Sequence, residues 1–250
     1  YPLALVFHGH ANTAPHIERA TGFSALADHS GFLAVYPQGV VGPDGYTGWA
    51  SGGPNKPAVD DVLFVSDLLT QVQAQVCVDP DRIFAAGFSN GGGLTSVLAC
   101  ELAGRIAAFA SVSGSYFAPQ GGCHPGRPVA VLEFHGTADR IVPYDGRPRI
   151  GEQGAWQWAT AWAARDGCAA SPTQTTSAHA IRFEWTDCQG QAVVIHYRLA
   201  GGVHTWPGAL AMPQGFGPHR PASDAVVNAT DLIWHFFAAH PLAVDARREF

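Results

Sequence analysis

The sequence predicts an α/β fold: a mostly parallel central sheet flanked by helices on both faces. Short apolar runs bounded by Gly, Pro and polar clusters recur along the chain, and between them lie longer segments with apolar residues at three- and four-residue steps. With 250 residues, 47% hydrophobic and 14% charged, the chain has enough apolar material for one sizeable core and too little charge to stay disordered. One domain spanning residues 1–250 is therefore expected, with no separate lid domain.

The predicted strands are 3–8, 32–36, 83–88, 107–113, 129–135, 181–185 and 193–199, each short and nearly all apolar, as strands covered on both faces are. Tyr1-Pro2 leads directly into Leu3-Ala4-Leu5-Val6-Phe7, so the chain starts on a strand and a natural N-terminal segment is expected to have been removed. Helices are predicted over 23–30, 59–76, 91–102, 154–165 and 223–239. In the second, Val62, Val65, Leu69, Val72 and Val76 form a stripe that should face the sheet. The Gly/Pro-rich loops 39–57 and 206–221 follow strands and belong at the carboxyl edge of the sheet, where open α/β folds bind ligands.

A net charge of -6 with a single lysine, Lys56, excludes nucleic acid and anionic membrane as natural partners, because both require clustered cations. No apolar run approaches the roughly 20 residues that span a bilayer. A monomer acting on a substrate is the expectation.

Gly87-Phe88-Ser89-Asn90-Gly91-Gly92 follows the apolar run Ile83-Phe84-Ala85-Ala86 and matches G-x-S-x-G. Small flanking residues let strand turn into helix so sharply that the serine holds a strained backbone and projects its hydroxyl above the sheet. The same turn aims the next helix N-terminus at that hydroxyl, and the Asn90 backbone N–H becomes a donor to the oxyanion of an acyl-transfer transition state. Chance matches arise readily among 29 glycines, so position decides. A clean apolar strand before the motif, and Leu94, Val97 and Leu98 at packing spacing after it, make Ser89 the candidate nucleophile of an α/β-hydrolase fold.

A serine hydroxyl needs a histidine to take its proton, and that histidine needs a carboxylate to fix its tautomer. In this fold the chain order is Ser, then Asp or Glu, then His. The strand ending at Phe134 is followed by His135-Gly136-Thr137-Ala138-Asp139-Arg140-Ile141-Val142-Pro143, which puts Asp139 on a strand-end loop, with Asp145 the other carboxylate nearby. Twelve histidines compete for the base. His204, in Gly201-Gly202-Val203-His204-Thr205-Trp206, lies on a loop after the last strand and before the final helix; His196 lies mid-strand, His235 and His240 come later, and His135 reads as structural.

A second oxyanion donor is expected after the first strand, where His8-Gly9-His10-Ala11 matches the HG-type motif of the fold. The His10 backbone N–H is the candidate and Ala11 the next. His8 and His10 without a third ligand make a poor metal site, so no metal is expected. Asp60 and Asp61 are expected to tether the 39–57 loop or cap the helix that follows.

Cys168 follows a predicted helix and Cys188 sits in the turn Thr186-Asp187-Cys188-Gln189-Gly190, so a loop-to-hairpin disulfide is expected, and with it an oxidising compartment. One further pair is available among Cys77, Cys100 and Cys123; five reduced, buried cysteines are the alternative.

These motifs together resemble the extracellular esterase group of the α/β-hydrolase superfamily that includes feruloyl esterases and polyhydroxybutyrate depolymerases. The similar segments are Val76-Cys77-Val78-Asp79-Pro80-Asp81-Arg82-Ile83 leading into the Ser89 motif, Phe134-His135-Gly136-Thr137-Ala138-Asp139, Gly202-Val203-His204-Thr205-Trp206-Pro207-Gly208, and Val59-Asp60-Asp61-Val62 before a long helix. The resemblance implies a secreted enzyme without a cofactor, hydrolysing esters through an acyl-enzyme. It departs in two places: strands usual before the first one are missing, and His10-Ala11 stands where relatives often carry Cys or Gly.

Trp49, Tyr116, Phe117 and Trp206 are expected to rim an open cleft. An aromatic rim suits a hydroxycinnamoyl group, hence feruloyl esters of plant cell-wall polysaccharide as the first reading. It also suits a polyhydroxyalkanoate or other polyester chain. A non-catalytic carbohydrate-binding protein on a hydrolase scaffold is the reading from another class.

Overall fold

The computed structural model describes residues 1–54, 56–209 and 227–242. In chain order the elements are β1 (Leu3–Phe7), α1 (Ala14–Thr21), α2 (Phe23–Ser30), β2 (Leu33–Val35), β3 (Val40–Val41), β4 (Thr47–Gly48), α3 (Asp61–Gln75), β5 (Ile83–Phe88), α4 (Asn90–Glu101) and β6 (Ala108–Val112). There follow β7 (Tyr116–Phe117), β8 (Ala130–Gly136), β9 (Gly146–Arg147), a 3₁₀ turn (Pro148–Ile150), β10 (Glu152–Gln153), α5 (Ala155–Arg165), β11 (Thr173–Thr176), β12 (Ala180–Trp185), β13 (Val194–Leu199) and α6 (Ala229–Ala239). The main sheet runs β11-β12-β13-β8-β6-β5-β1-β2. Every pairing from β13 to β2 is parallel, and β11, β12 and β13 form an antiparallel edge.

Strand periodicity separates two cores. Leu3, Leu5 and Phe7 of β1 point to a cluster with Val65 and Leu69 of α3, Leu94 and Leu98 of α4, and Trp158 and Trp162 of α5. Ala4 and Val6 point the other way, to Ile17, Phe23, Ile233 and Phe237 of α1, α2 and α6. Helices thus cover both faces, and each fully buried Leu or Phe contributes about 1.5–3 kcal/mol. The Asp60 carboxylate caps α3 by accepting from the Leu63 N–H at 2.9 Å, and the Asn228 side chain caps α6 through the Asp231 N–H at 3.3 Å.

Differences from the sequence reading fall where apolar patterning is weak. The edge strand β11 is Thr-Gln-Thr-Thr with every residue exposed, so no apolar alternation marks it. Helix α1 buries only Ile17, Ala20 and Thr21, too few to declare a period. Val76 is not part of the α3 stripe: the helix ends at Gln75, and Val76 is its extended cap, 45% exposed. Cys100–Cys123 and Cys168–Cys188 are disulfides, and Cys77 is free and exposed. Loop residues 210–221 and the expected helix start at 223–226 lie outside the described residues.

Candidate active site

The loops after β1, β5, β8 and β13 all leave the carboxyl edge of the parallel strands, and they carry His10, Ser89, Asp139 and His204 respectively. Ser89 sits between β5 and α4 with φ 55 and ψ -118, a left-handed backbone uncommon for a residue with a Cβ. Two glycines make the elbow sterically feasible. A Cβ on Gly87 would lie 2.2 Å from the Gly91 carbonyl oxygen, and one on Gly91 would lie 2.4 Å from that of Phe7. Gly9 lets the β1 loop pass against the elbow, its Cβ direction ending 3.2 Å from the Ser89 Cβ.

His204 is buried, and its Nδ1 donates to Asp139 Oδ2 at 2.7 Å. Its ring lies 4.8 Å from that of Phe88, the residue before the serine. Asp139 Oδ1 accepts the backbone N–H groups of Ile141 and Val142, each at 2.9 Å, which leaves Oδ2 aimed at the imidazole. Burial alone would raise the Asp139 carboxyl. The His204 hydrogen bond and charge, with His135 and the Val142 N–H, outweigh burial and hold it below the usual carboxylate range. Asp145 is exposed.

Asn90 opens α4, so its backbone N–H has no acceptor within the helix. Its side chain binds the neighbouring loop: Oδ1 accepts from Trp49 N at 2.7 Å, and Nδ2 donates to Trp49 O and Ser51 Oγ. Asp61, buried at the start of α3, accepts the Ala50 N–H at 2.6 Å, so Asp60 caps the helix while Asp61 tethers the loop. In the β1 loop the Ala11 N–H donates to Thr47 O at 2.8 Å, which removes Ala11 from the oxyanion candidates and leaves His10. The His10 side chain turns outward to Asp44, Nε2 to Oδ2 2.9 Å. His8 is held neutral: Nδ1 donates to Gly9 O, Nε2 accepts from Gly39 N, and burial lowers its pKa. Neither ring is arranged with a third ligand; among the described residues no cluster of three His, Cys, Asp or Glu could hold a metal.

A cleft of about 310 Å³ opens over Ser89 and Asn90, walled by Tyr46, Phe117, Ile141 and Ile150, with Lys56 and Arg147 at its side. Ile141 also borders a hollow of about 340 Å³ that reaches His204. Of the four aromatics expected at the rim, Phe117 and Trp49 line the cleft, and Tyr116 and Trp206 do not. Tyr116 is 1% exposed, because adjacent strand residues face opposite ways; its ring stacks on Trp158 at 4.6 Å. Trp206 is likewise core rather than rim, edge-on to Phe23, with Nε1 donating to Thr230 Oγ1 at 2.9 Å. Trp49 lines the cleft but is fully buried, its Nε1 donating to His8 O and its ring perpendicular to Phe7. Tryptophans this large settle where burial is deepest, and their indole N–H groups find carbonyl or hydroxyl partners there.

The sequence places Tyr46 on the loop at the ligand-binding edge, but Ile141, Ile150 and Arg147 were not foreseen as lining residues. Ile141 and Ile150 are exposed apolar residues in a Pro-rich loop, and that is the signal that could have marked them.

The model of the family described as esterase PHB depolymerase matches residues 1–130. The chain is 32% identical over 214 residues to feruloyl esterase B of Piromyces equi, covering 81% of this chain and 39% of that protein. It is 31% identical over 206 residues to feruloyl esterase C of Emericella nidulans, covering 80% and 64%. It thus spans less than two thirds of the length of either relative. Among solved structures, an acetyl xylan esterase from Aspergillus awamori superposes with a TM-score of 0.68 at 15% identity, over 95% of this chain and 88% of that one, a likeness of α/β-hydrolase fold. With its model matching just over half of the 250 residues, the chain belongs to the esterase PHB depolymerase family of carboxylic-ester hydrolases.

Proposed function

We propose that the chain hydrolyses carboxylic esters through an acyl-enzyme on Ser89, with His204 as base and Asp139 as its orienting carboxylate. The observation that carries this is the Asp139–His204 hydrogen bond at 2.7 Å, on the same sheet edge as the strained Ser89 elbow. His204 takes the Ser89 hydroxyl proton as Oγ attacks the ester carbonyl. The tetrahedral oxyanion is met by the backbone N–H groups of His10 and Asn90. His204 then gives the proton to the departing alkoxide, and water repeats the sequence on the acyl-enzyme to release the acid. No cofactor enters this scheme, and a single domain acting as a monomer suffices for it.

Feruloyl esters of cell-wall polysaccharide are the preferred substrate class, supported by the Phe117 wall and by relatives named feruloyl esterase. The family's name, and the exposed apolar Tyr46, Ile141 and Ile150, favour a polyester as the second reading. Two disulfides support a secreted, oxidising setting. Ser89→Ala should lose turnover by about 10⁴-fold or more while keeping the fold. Release of ferulate from methyl ferulate, set against clearing of a polyhydroxybutyrate suspension, separates the two substrates. Retained activity in Ser89→Ala would mean that another residue is the nucleophile, whereas failure of a serine-directed phosphonate to label Ser89, together with no hydrolysis of any p-nitrophenyl ester, would leave a non-catalytic binding scaffold as the surviving reading.

A further inference from the structure

Behind Asp139 lies a buried ionic cluster that the acyl-enzyme scheme does not use. Glu133, mid-strand in β8, is fully buried, as are His135 two residues on and His196 on the adjacent strand β13. Glu133 Oε1 is 3.0 Å from His135 Nδ1, and Oε2 is 2.5 Å from His196 Nδ1. The Tyr116 hydroxyl of β7 stands 3.2 Å from Oε1 and 2.8 Å from Ser111 Oγ of β6. His135 Nε2 is 2.9 Å from the Val142 carbonyl oxygen and 3.6 Å from Asp139 Oδ2.

Donor and acceptor bookkeeping locates the protons. A carbonyl oxygen only accepts, so His135 Nε2 carries a hydrogen. His196 Nδ1 faces the Glu133 carboxylate and carries its hydrogen toward it, and Nε2 accepts from the Tyr144 hydroxyl at 2.7 Å, a phenol whose pKa burial pushes up. One proton remains, shared between His135 Nδ1 and Glu133 Oε1. Glu133 already faces donors from His196 and Tyr116, which stabilise its anion, whereas His135 lies between two carboxylates, which stabilise its cation. The proton therefore belongs to His135.

We propose that His135 is a resident imidazolium, a positioning cation that bridges Glu133 and Asp139 and sets the charge against which His204 works. The direction of titration agrees: burial would lower His135, yet the hydrogen bond and charge of Glu133, with Val142 and Asp139, raise it. Burial would likewise raise Glu133, yet His196 and His135 hold it low. The other ionisable groups around the pair are Tyr144, edge-on to the His135 ring at 5.9 Å, Arg198, the register partner of His135 whose guanidinium lies over the Tyr144 ring, and Arg147, within electrostatic reach of Asp139. None of these stands between His135 Nε2 and Asp139. With a cation at its back, Asp139 stabilises positive charge on His204 less than a lone carboxylate would.

The proposal rests on His204 being the base, and two readouts keep it separable from that assignment. Nitrogen-15 histidine NMR of the wild-type protein should show both His135 ring nitrogens protonated from pH 5 to 8, with no titration between; a neutral His135 tautomer at pH 8 overturns the proposal whatever the enzyme's mechanism. In folded His135→Gln, the acid limb of kcat/KM for methyl ferulate should move up by about half a pH unit or more. A limb that stays in place while kcat falls means His135 is only a packing residue and also overturns it. Glu133→Gln, which removes the counter-ion, should make the His135 resonances titrate; if they remain fixed, Glu133 is not what charges His135.

Discussion

Gly136 and Gly202 meet backbone to backbone: a Cβ on Gly136 would lie 2.1 Å from the Gly202 carbonyl oxygen. This contact joins the loop carrying Asp139 to the loop carrying His204, and three hydrogen bonds reinforce it. Ala138 N donates to Gly202 O at 2.9 Å, Thr137 N to Leu199 O at 2.9 Å, and Gly201 N to Thr137 Oγ1 at 2.9 Å. The 2.7 Å bond between Asp139 and His204 is a consequence of how closely these two backbones approach. Gly136→Ala must push the loops apart, an overpacking cost of about 1–3 kcal/mol in stability. Because a small misplacement of a catalytic group is expensive, kcat should fall at least about tenfold with KM changed far less. Steady-state kinetics beside a thermal melt checks it, and unchanged kcat would mean the two loops do not depend on each other.

Asp139→Asn tests the same pair by charge rather than distance. Asn can keep Oδ1 under the Ile141 and Val142 N–H groups, but then an NH2 replaces Oδ2 opposite the His204 Nδ1 hydrogen. Two donors face each other and the imidazole flips its tautomer, which places the hydrogen on the nitrogen that must accept from serine. The expected loss is about 10⁴-fold in kcat with a near-normal melting temperature.

Much of this was legible in the sequence because burial on both faces forces strands to be continuous apolar runs. Ser89, Asp139 and His204 could be placed by chain order and by the strand ends they follow, which depend on topology alone. The wall of the cleft could not. Tyr116 and Phe117 are adjacent aromatics, and only the pairing of Glu152 with Phe117 and of Gln153 with Tyr116 fixes which ring points inward. Glu133 was equally opaque: one charged residue in an apolar strand gives no hint that His196, 63 positions away, supplies its partner. Long-range pairing, not local pattern, determines both.

Phe117 lines the cleft beside Ser115 and Arg147. Its ring lies against Gly52 and Gly53, whose φ values of +117 and +81 and missing side chains allow the approach; a Cβ on Gly52 would sit 2.4 Å from Phe117 Cβ. If this ring meets a planar acyl group, removing it forfeits an aromatic contact worth about 0.5–1.5 kcal/mol, or roughly two- to twelvefold in binding. Phe117→Ala should raise KM for methyl ferulate by that factor and leave p-nitrophenyl acetate, with no aromatic acyl group, within about twofold. Equal effects on both esters would remove Phe117 from acyl recognition.

Asp166, which ends α5 beside the Cys168–Cys188 bridge, offers a test of stability that is independent of catalysis. Its Oδ1 accepts from Val129 N at 3.0 Å, while Oδ2 is buried with no hydrogen-bond partner among the described residues. Burial pushes this carboxyl up to about 7, against the Val129 N–H and the nearby Arg165 and Arg127, which pull it down. An unfolded aspartate titrates near 3.9. Between about pH 4 and pH 7 the native state therefore binds a proton that the unfolded state has released, so unfolding free energy falls as pH rises through this window. Asp166→Asn keeps the acceptor for Val129 and cannot ionise, so its stability relative to wild type should climb across the same window. The climb should reach a few kcal/mol, of order 1.4 per unit of pKa difference, and level off above pH 7. Urea unfolding of both proteins at several pH values from 4 to 8 measures it. A constant difference across that range would mean that Asp166 is ionised in the folded protein, its charge already balanced by the two arginines.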